Sequence, residues 1–147
     1  MIEDFRDILA ALVAAEARFL VVGAHALAAH GVPRMTSDLD LLVEPTPRNA
    51  QRVWQALVNF GAPLDSLMLR ESDFTTVDRV VQLGVPPWRI DIMTGISGVS
   101  FSEAWDGRMA DAMLGVSVAF IGREAFIRNK RASGRSKDLM DIDALQG

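Results

Sequence analysis

Apolar residues return at Ile2, Phe5, Ile8, Leu9, Leu12 and Val13, a helical spacing that predicts a first helix up to about Ala17. Phe19-Leu20-Val21-Val22 is a short unbroken apolar run bounded by Gly23, the mark of a buried strand. Ala24 to His30 is alanine-rich and reads as a short helix closed by Gly31 and followed by Pro33. Leu39 to Val43 is the second strand. Thr46 is a good N-cap with Pro47 at the first helical position, and Val53, Trp54, Leu57, Val58 and Phe60 form the stripe of a helix ended by Gly61. The pattern fades between Ala62 and Thr76. Val80 to Leu83 and Trp88 to Met93 read as an antiparallel hairpin across a Gly-Val-Pro-Pro turn. Ser102 caps a short helix through Trp105, Val116 to Ile121 is a last strand, and helices over Glu124–Ala132 and Lys137–Leu145 close the chain. The order αβαβαββαβαα predicts an α+β (mixed α/β) fold, a small mixed sheet with helices packed on it.

The second strand carries the chemistry. In Ser-Asp-Leu-Asp-Leu-Leu-Val, Asp38 and Asp40 project to one side while Leu39, Leu41 and Val43 project to the other. Two adjacent carboxylates repel, and a divalent cation removes that cost. In Arg-Ile-Asp-Ile-Met, Asp91 is opposite in phase to Trp88, Ile90 and Ile92, so it faces the same site if the two strands are neighbours. Upstream, Gly23 lets the backbone turn sharply, and the following helix offers free N–H groups to a phosphate. Mg²⁺ prefers one or two carboxylates plus phosphate oxygens and water, which this layout supplies, and a third carboxylate permits a second metal or a general base. The competing reading is plainer: exposed acids on a strand rim, with Asp91 paired to Arg89.

Composition narrows the setting. A chain of 147 residues with half its positions apolar is expected to form a single domain over 1–147. No apolar run reaches membrane-spanning length, and the charges at Glu3, Asp4, Arg6 and Asp7 rule out a signal-peptide core, so a cytoplasmic protein without membrane contact is expected. The absence of cysteine removes disulfides, thiolate metal sites and thiol nucleophiles. The net charge of −4 argues against a general nucleic-acid coat. Positive charge is nevertheless concentrated over residues 123–137, where Arg123, Arg128, Lys130, Arg131, Arg135 and Lys137 face one acid, Glu124. Such a run is commonly a solvated helix face, yet here it also suits an anionic visitor. Lys130 and Arg135 are the candidates for the nucleotide or an anionic acceptor, and Arg34 lies close enough to the aspartate pair to reach phosphates. Thr36 and Ser37 are candidate donors to the carboxylates. His30 reads first as a packing or capping histidine.

Taken together, Phe19-Leu-Val-Val-Gly-Ala-His-Ala-Leu-Ala-Ala-His-Gly-Val-Pro-Arg-Met-Thr-Ser-Asp-Leu-Asp-Leu-Leu-Val resembles the opening motif of the polymerase-beta-type nucleotidyltransferases, and most closely their small bacterial branch of minimal nucleotidyltransferases and AbiE-type toxins. The closing Asn129-Lys-Arg-Ala-Ser-Gly-Arg-Ser-Lys-Asp-Leu-Met-Asp is similar to the Lys-x-x-x-x-Arg-x-Lys-Asp-x-x-Asp stretch that ends many of these proteins. The resemblance implies metal binding by Asp38, Asp40 and Asp91, triphosphate binding at Gly23 and Ala24, and Mg²⁺ or Mn²⁺ with an NTP as the working set. It further implies transfer of an NMP group to a hydroxyl of a protein or RNA acceptor, in a toxin–antitoxin or phage-defence setting with a cognate partner. The chain departs from the pattern at Ala24, where the family carries Gly or Ser. That departure keeps open a catalytically weak or inactive nucleotide-binding regulatory protein of the same fold.

Overall fold

The unbroken apolar run Phe19–Val22 forms β1, buried along its whole length near the middle of a six-stranded sheet. The computed structural model describes residues 2–85 and 87–147. The other strands are β2 (Asp38–Val43), β3 (Val80–Leu83), β4 (Arg89–Met93), β5 (Met109–Met113) and β6 (Val116–Phe120), and the sheet order is β3-β4-β2-β1-β6-β5. β1 pairs antiparallel to β2 and parallel to β6, β2 pairs parallel to β4, and both edges are antiparallel hairpins. The mixed sheet expected from the sequence is therefore present, with one more strand than the pattern predicts.

Among the described residues, six helices accompany the sheet: α1 (Ile2–Ala14), α2 (Gly23–Ala29), α3 (Pro47–Phe60), α4 (Phe101–Asp106), α5 (Arg123–Ser133) and α6 (Ser136–Gln146), with a 3-10 turn at Glu71–Phe74. α1 and α3 pack on each other and send Phe5, Ile8, Leu9, Leu12, Val53, Ala56 and Leu57 into one core with Leu39, Leu41, Ile90 and Ile92. α3 begins as the sequence predicts: Thr46 Oγ1 accepts from the Asn49 N–H, Pro47 opens the helix, and Gly61 closes it at a φ of 92°.

Several boundaries differ. α1 stops at Ala14, short of Ala17, because Glu16 turns left-handed at φ 57° and Ala17 N–H folds back onto the Leu12 carbonyl. The short helix after β1 starts at Gly23, one residue before Ala24. β2 starts at Asp38, which pairs with Arg89, and Trp88 lies before β4, in the turn, with its N–H on the Val85 carbonyl. Within the predicted hairpin turn, Pro86 lies outside the described residues. Ser100, not Ser102, caps α4. Its Oγ accepts from Glu103 N–H at 3.1 Å, and Glu103 Oε1 accepts from Ser100 N–H at 3.0 Å, a reciprocal capping box. β6 ends at Phe120, before Ile121, and the last two helices run slightly longer than their apolar stripes.

Candidate active site

Parallel pairing of β2 with β4 sets Asp38 opposite Arg89 and Asp40 opposite Asp91. Residues two apart on a strand share a face, so these four side chains make a two-by-two charged array on strands spaced about 4.8 Å apart. The alternate residues Leu39, Leu41, Ile90 and Ile92 are all at most 4% exposed, and their burial in the core fixes the register that turns the charges outward. Antiparallel pairing brings Val22 opposite Asp40, so the turn after β1 arrives beside that carboxylate. Gly23 has a φ of 69°, and a Cβ there would overlap Asp40 Oδ2. A backbone turn with no side chain therefore rides directly against Asp40.

The array is electrostatically loaded. Burial, and then the neighbouring charges of Asp91 and Asp38, push the Asp40 carboxyl up to about 6. Asp91 is also raised, chiefly by burial, although Arg89 opposes the shift. Asp91 Oδ1 is buried with no hydrogen-bond partner. Arg89 Nη2 lies 3.4 Å from Asp38 Oδ2, so the arginine pairs with Asp38 rather than with Asp91. His25, on α2, has a buried Nε2 without a partner and stands edge-on to Phe5 at 6.0 Å. Its burial lowers its pKa, against a hydrogen bond to the Asp38 backbone.

Gly23 and Asp40 form one side of a cleft of about 270 Å³ whose other lining includes Lys130, Arg135, Asn129 and Ser97. Asn129 Nδ2 donates to the Ser97 carbonyl at 3.0 Å and ties α5 to the loop after β4. Lys130 is 8% exposed, and its ammonium sits 2.9 Å from Asp141 and 3.5 Å from Asp138, both on α6. Arg135 Nε donates to Asp138 at 2.7 Å, and Arg34 pairs with Asp141. Asp138 is held below the ordinary carboxylate range, first by the Arg135 hydrogen bond. For Asp141, burial pushes upward but Lys130 and Arg34 outweigh it, and the net shift is down.

Of the residues singled out in the sequence, Gly23, Asp40, Lys130 and Arg135 line this cleft, and Asp38 and Asp91 stand in the array around Asp40. Lys130 and Arg135, the candidates for the nucleotide or an anionic acceptor, already have carboxylate partners on α6. Arg34, the candidate for phosphates, pairs with Asp141. Thr36 Oγ1 accepts from the Asp38 backbone N–H at 3.0 Å, so it fixes the strand entry and not the carboxylate. Ala24 is the second residue of α2 and does not line the cleft. His30 Nε2 donates to the Ile121 carbonyl at 2.8 Å, as a packing histidine would. Arg-x-Asp puts Arg89 and Asp91 on one strand face, which suggests that they pair, but the fold gives Arg89 to Asp38. Nothing in the sequence pattern marks Asn129 and Ser97 as part of the cleft.

A metal ion can be weighed against these groups. The donors are carboxylate oxygens suited to hard divalent cations, and an orphaned buried oxygen on Asp91 together with an Asp40 carboxyl raised to about 6 marks unmet demand for positive charge. Among the described residues, however, no group of three or more His, Asp and Glu side chains is assembled to hold a metal ion. The chemistry of the donor set fits; Arg89 occupies part of it.

The fold that holds this array is nucleotidyltransferase-like. A crystal structure from Thermotoga maritima, described as a "putative nucleotidyltransferase", superimposes with a TM-score of 0.59 at 16% identity, covering 97% of this chain and 88% of that one. No protein-family model and no curated protein matches the chain. Among the described residues, no helix is long and apolar enough to cross a membrane.

Proposed function

We propose that the chain is a metal-dependent nucleotidyltransferase that moves an NMP group from an NTP to a hydroxyl of a protein or RNA acceptor and releases pyrophosphate. The reading rests above all on the strand register that sets Asp40 against Asp91, with Asp38 beside them and the Gly23 turn pressed on Asp40. Asp38, Asp40 and Asp91 would hold Mg²⁺ or Mn²⁺, which supplies charge neutralisation for the triphosphate and the departing pyrophosphate. Gly23 admits the triphosphate close to the backbone. On the far wall Lys130 and Arg135 face the same space, positioned by Asp138 and Asp141, and offer donors to phosphate oxygens. Asp91, with its unpartnered Oδ1 and raised pKa, accepts the acceptor hydroxyl's proton. The hydroxyl oxygen bonds the α-phosphorus while the bond from that phosphorus to the bridging oxygen breaks, and pyrophosphate leaves with the electron pair.

A toxin–antitoxin or phage-defence role, with a cognate partner, follows from the resemblance to the AbiE-type branch and belongs to this proposal. A second reading has its own observation. Arg89 already neutralises part of Asp38, and the cleft cations are already paired on α6, as in a nucleotide-binding regulator that no longer turns over. Incubation with each labelled NTP, Mg²⁺ or Mn²⁺, and total RNA or cell lysate separates the two. Label in a macromolecule, lost in Asp40→Asn, supports transfer. Binding of Mg-NTP without label in any acceptor supports the regulator.

A further inference from the structure

At the opposite end of β1 from Gly23 lies a second charged concavity. Four register steps separate the Val22–Asp40 pair from Arg18 and Glu44, roughly 13 Å at about 3.3 Å per residue. A cavity of about 360 Å³ there is lined by Arg18, Arg48, Arg52, Glu44, Thr46 and Asn49. Three guanidiniums face one carboxylate, in a chain whose net charge is −4. The frame around them is rigid. Asn49, 2% exposed, donates to the carbonyls of Arg18 and Glu44 at 3.0 Å each and accepts from the Arg18 N–H at 2.7 Å. One buried amide thus clamps the start of β1, the end of β2 and the first turn of α3 together.

The cations are under-compensated. Arg18 pairs with Glu44 at 3.3 Å, and Glu44 also accepts from Thr46 Oγ1 at 3.0 Å. Arg52 spends one donor on the Glu16 carbonyl at 3.2 Å, which leaves its charge unmatched. Arg48 has no hydrogen-bond or ion-pair partner among the described residues. Arg48 and Arg52 are i and i+4 on α3, a like-charge spacing that opposes the helix. The first turn of α3 carries no acid, so Arg48 also sits where the helix dipole disfavours a cation. A bound anion relieves all three conflicts at once.

We propose that this Arg18–Arg48–Arg52 cavity binds a phosphate group, free or within an RNA strand. Phosphate fits better than a carboxylate because its oxygens engage more than one guanidinium fork at a time. The site is independent of nucleotidyl transfer and stands whether or not the carboxylate cleft is catalytic.

The test uses the full chain, with arginine side-chain Nε–H resonances followed by NMR during titration with inorganic phosphate. Labelled single-stranded oligoribonucleotide is titrated in parallel by anisotropy at two salt concentrations. Phosphate is expected to shift the Arg18, Arg48 and Arg52 signals. If the source is RNA, Arg48→Ala/Arg52→Ala should weaken the oligomer at least tenfold at low salt and flatten its log–log salt slope by roughly 1.4, about 0.7 per lost phosphate contact. Phosphate shifts without oligomer binding at these arginines would assign the site to free phosphate compounds. Silence of all three signals with both ligands overturns the proposal, as does a double variant that folds and binds both as tightly as the parent. Asp40→Asn run alongside keeps the outcomes separate, since the cavity's response should survive that change even if transfer is lost.

Discussion

Gly23 meets two demands that a residue with a side chain would not. Its φ of 69° is left-handed, and a methyl group there would also overlap the Asp40 carboxylate. Gly23→Ala should therefore destabilise by about 1–3 kcal/mol in urea unfolding, the usual scale of local backbone strain, with added displacement of Asp40. A variant as stable as the parent would mean that the turn relaxes freely. Asp40 itself should respond to pH with the opposite sign to most aspartates. Its pKa rises from 3.8 in the unfolded chain to about 6 in the fold, so the folded state holds more protons between those values. Stability from this group is full below about pH 4 and is lost as pH rises through 6. Asp40→Asn removes that loss. In the absence of metal it should melt higher than the parent at pH 7.5, by about 1–2 kcal/mol after allowing for solvent screening, and match it near pH 4. Equal melting at both pH values would show that Asp40 is not charge-strained.

At the scale of elements, α5 and α6 are joined through buried charge. Lys130 lies between Asp138 and Asp141, which are 1% and 2% exposed, so removing the ammonium leaves carboxylates in a dry setting. Lys130→Ala should cost about 3–5 kcal/mol, measured by denaturant unfolding, with part of the burden on Asp141 relieved by Arg34. Nucleotide affinities of that variant thus need its stability measured alongside them. The two aspartates have depressed pKa values, so their contribution is present above the ordinary value of 3.8 and disappears as pH falls through their lowered folded values. The α4 cap is a smaller test. Ser100→Ala should lose about 1 kcal/mol of stability, whereas Ser102→Ala should be close to neutral.

Over the whole molecule, Asp40 of the carboxylate array and the α5–α6 cations belong to different chain segments and meet across one cleft. If the array takes a divalent cation, protons and metal compete for Asp40 and Asp91. Mg²⁺ with an NTP should raise the melting temperature of the metal-free protein more at pH 7.5 than at pH 5, where Asp40, raised to about 6, largely keeps its proton. A pH-independent shift, or one retained in Asp40→Asn, would place the ligand elsewhere. A larger cavity of about 710 Å³, lined by Arg18, Trp105 and the β5–β6 strands, contains none of the three site aspartates, so size alone does not locate the chemistry.

The alternation Asp38-Leu39-Asp40-Leu41 determined by itself that two carboxylates leave the core together, because the leucines must be buried. The same logic placed Asp91 in phase with its own strand and located β1, β2 and α3 closely. Periodicity could not show that β4 lies parallel to β2 in the register that opposes Asp40 to Asp91, since that register depends on core packing between distant segments. Nor could it find β5, whose Met-Ala-Asp-Ala-Met is largely exposed and lacks strand-forming residues. β5 exists through its ladder with β6 across Leu114 and Gly115, both at positive φ. The basic run at 123–137 was visible as charge but not as pairing. Only folding α6 back onto α5 brings Asp138 and Asp141 to Lys130, because the decisive term is the burial of all three together.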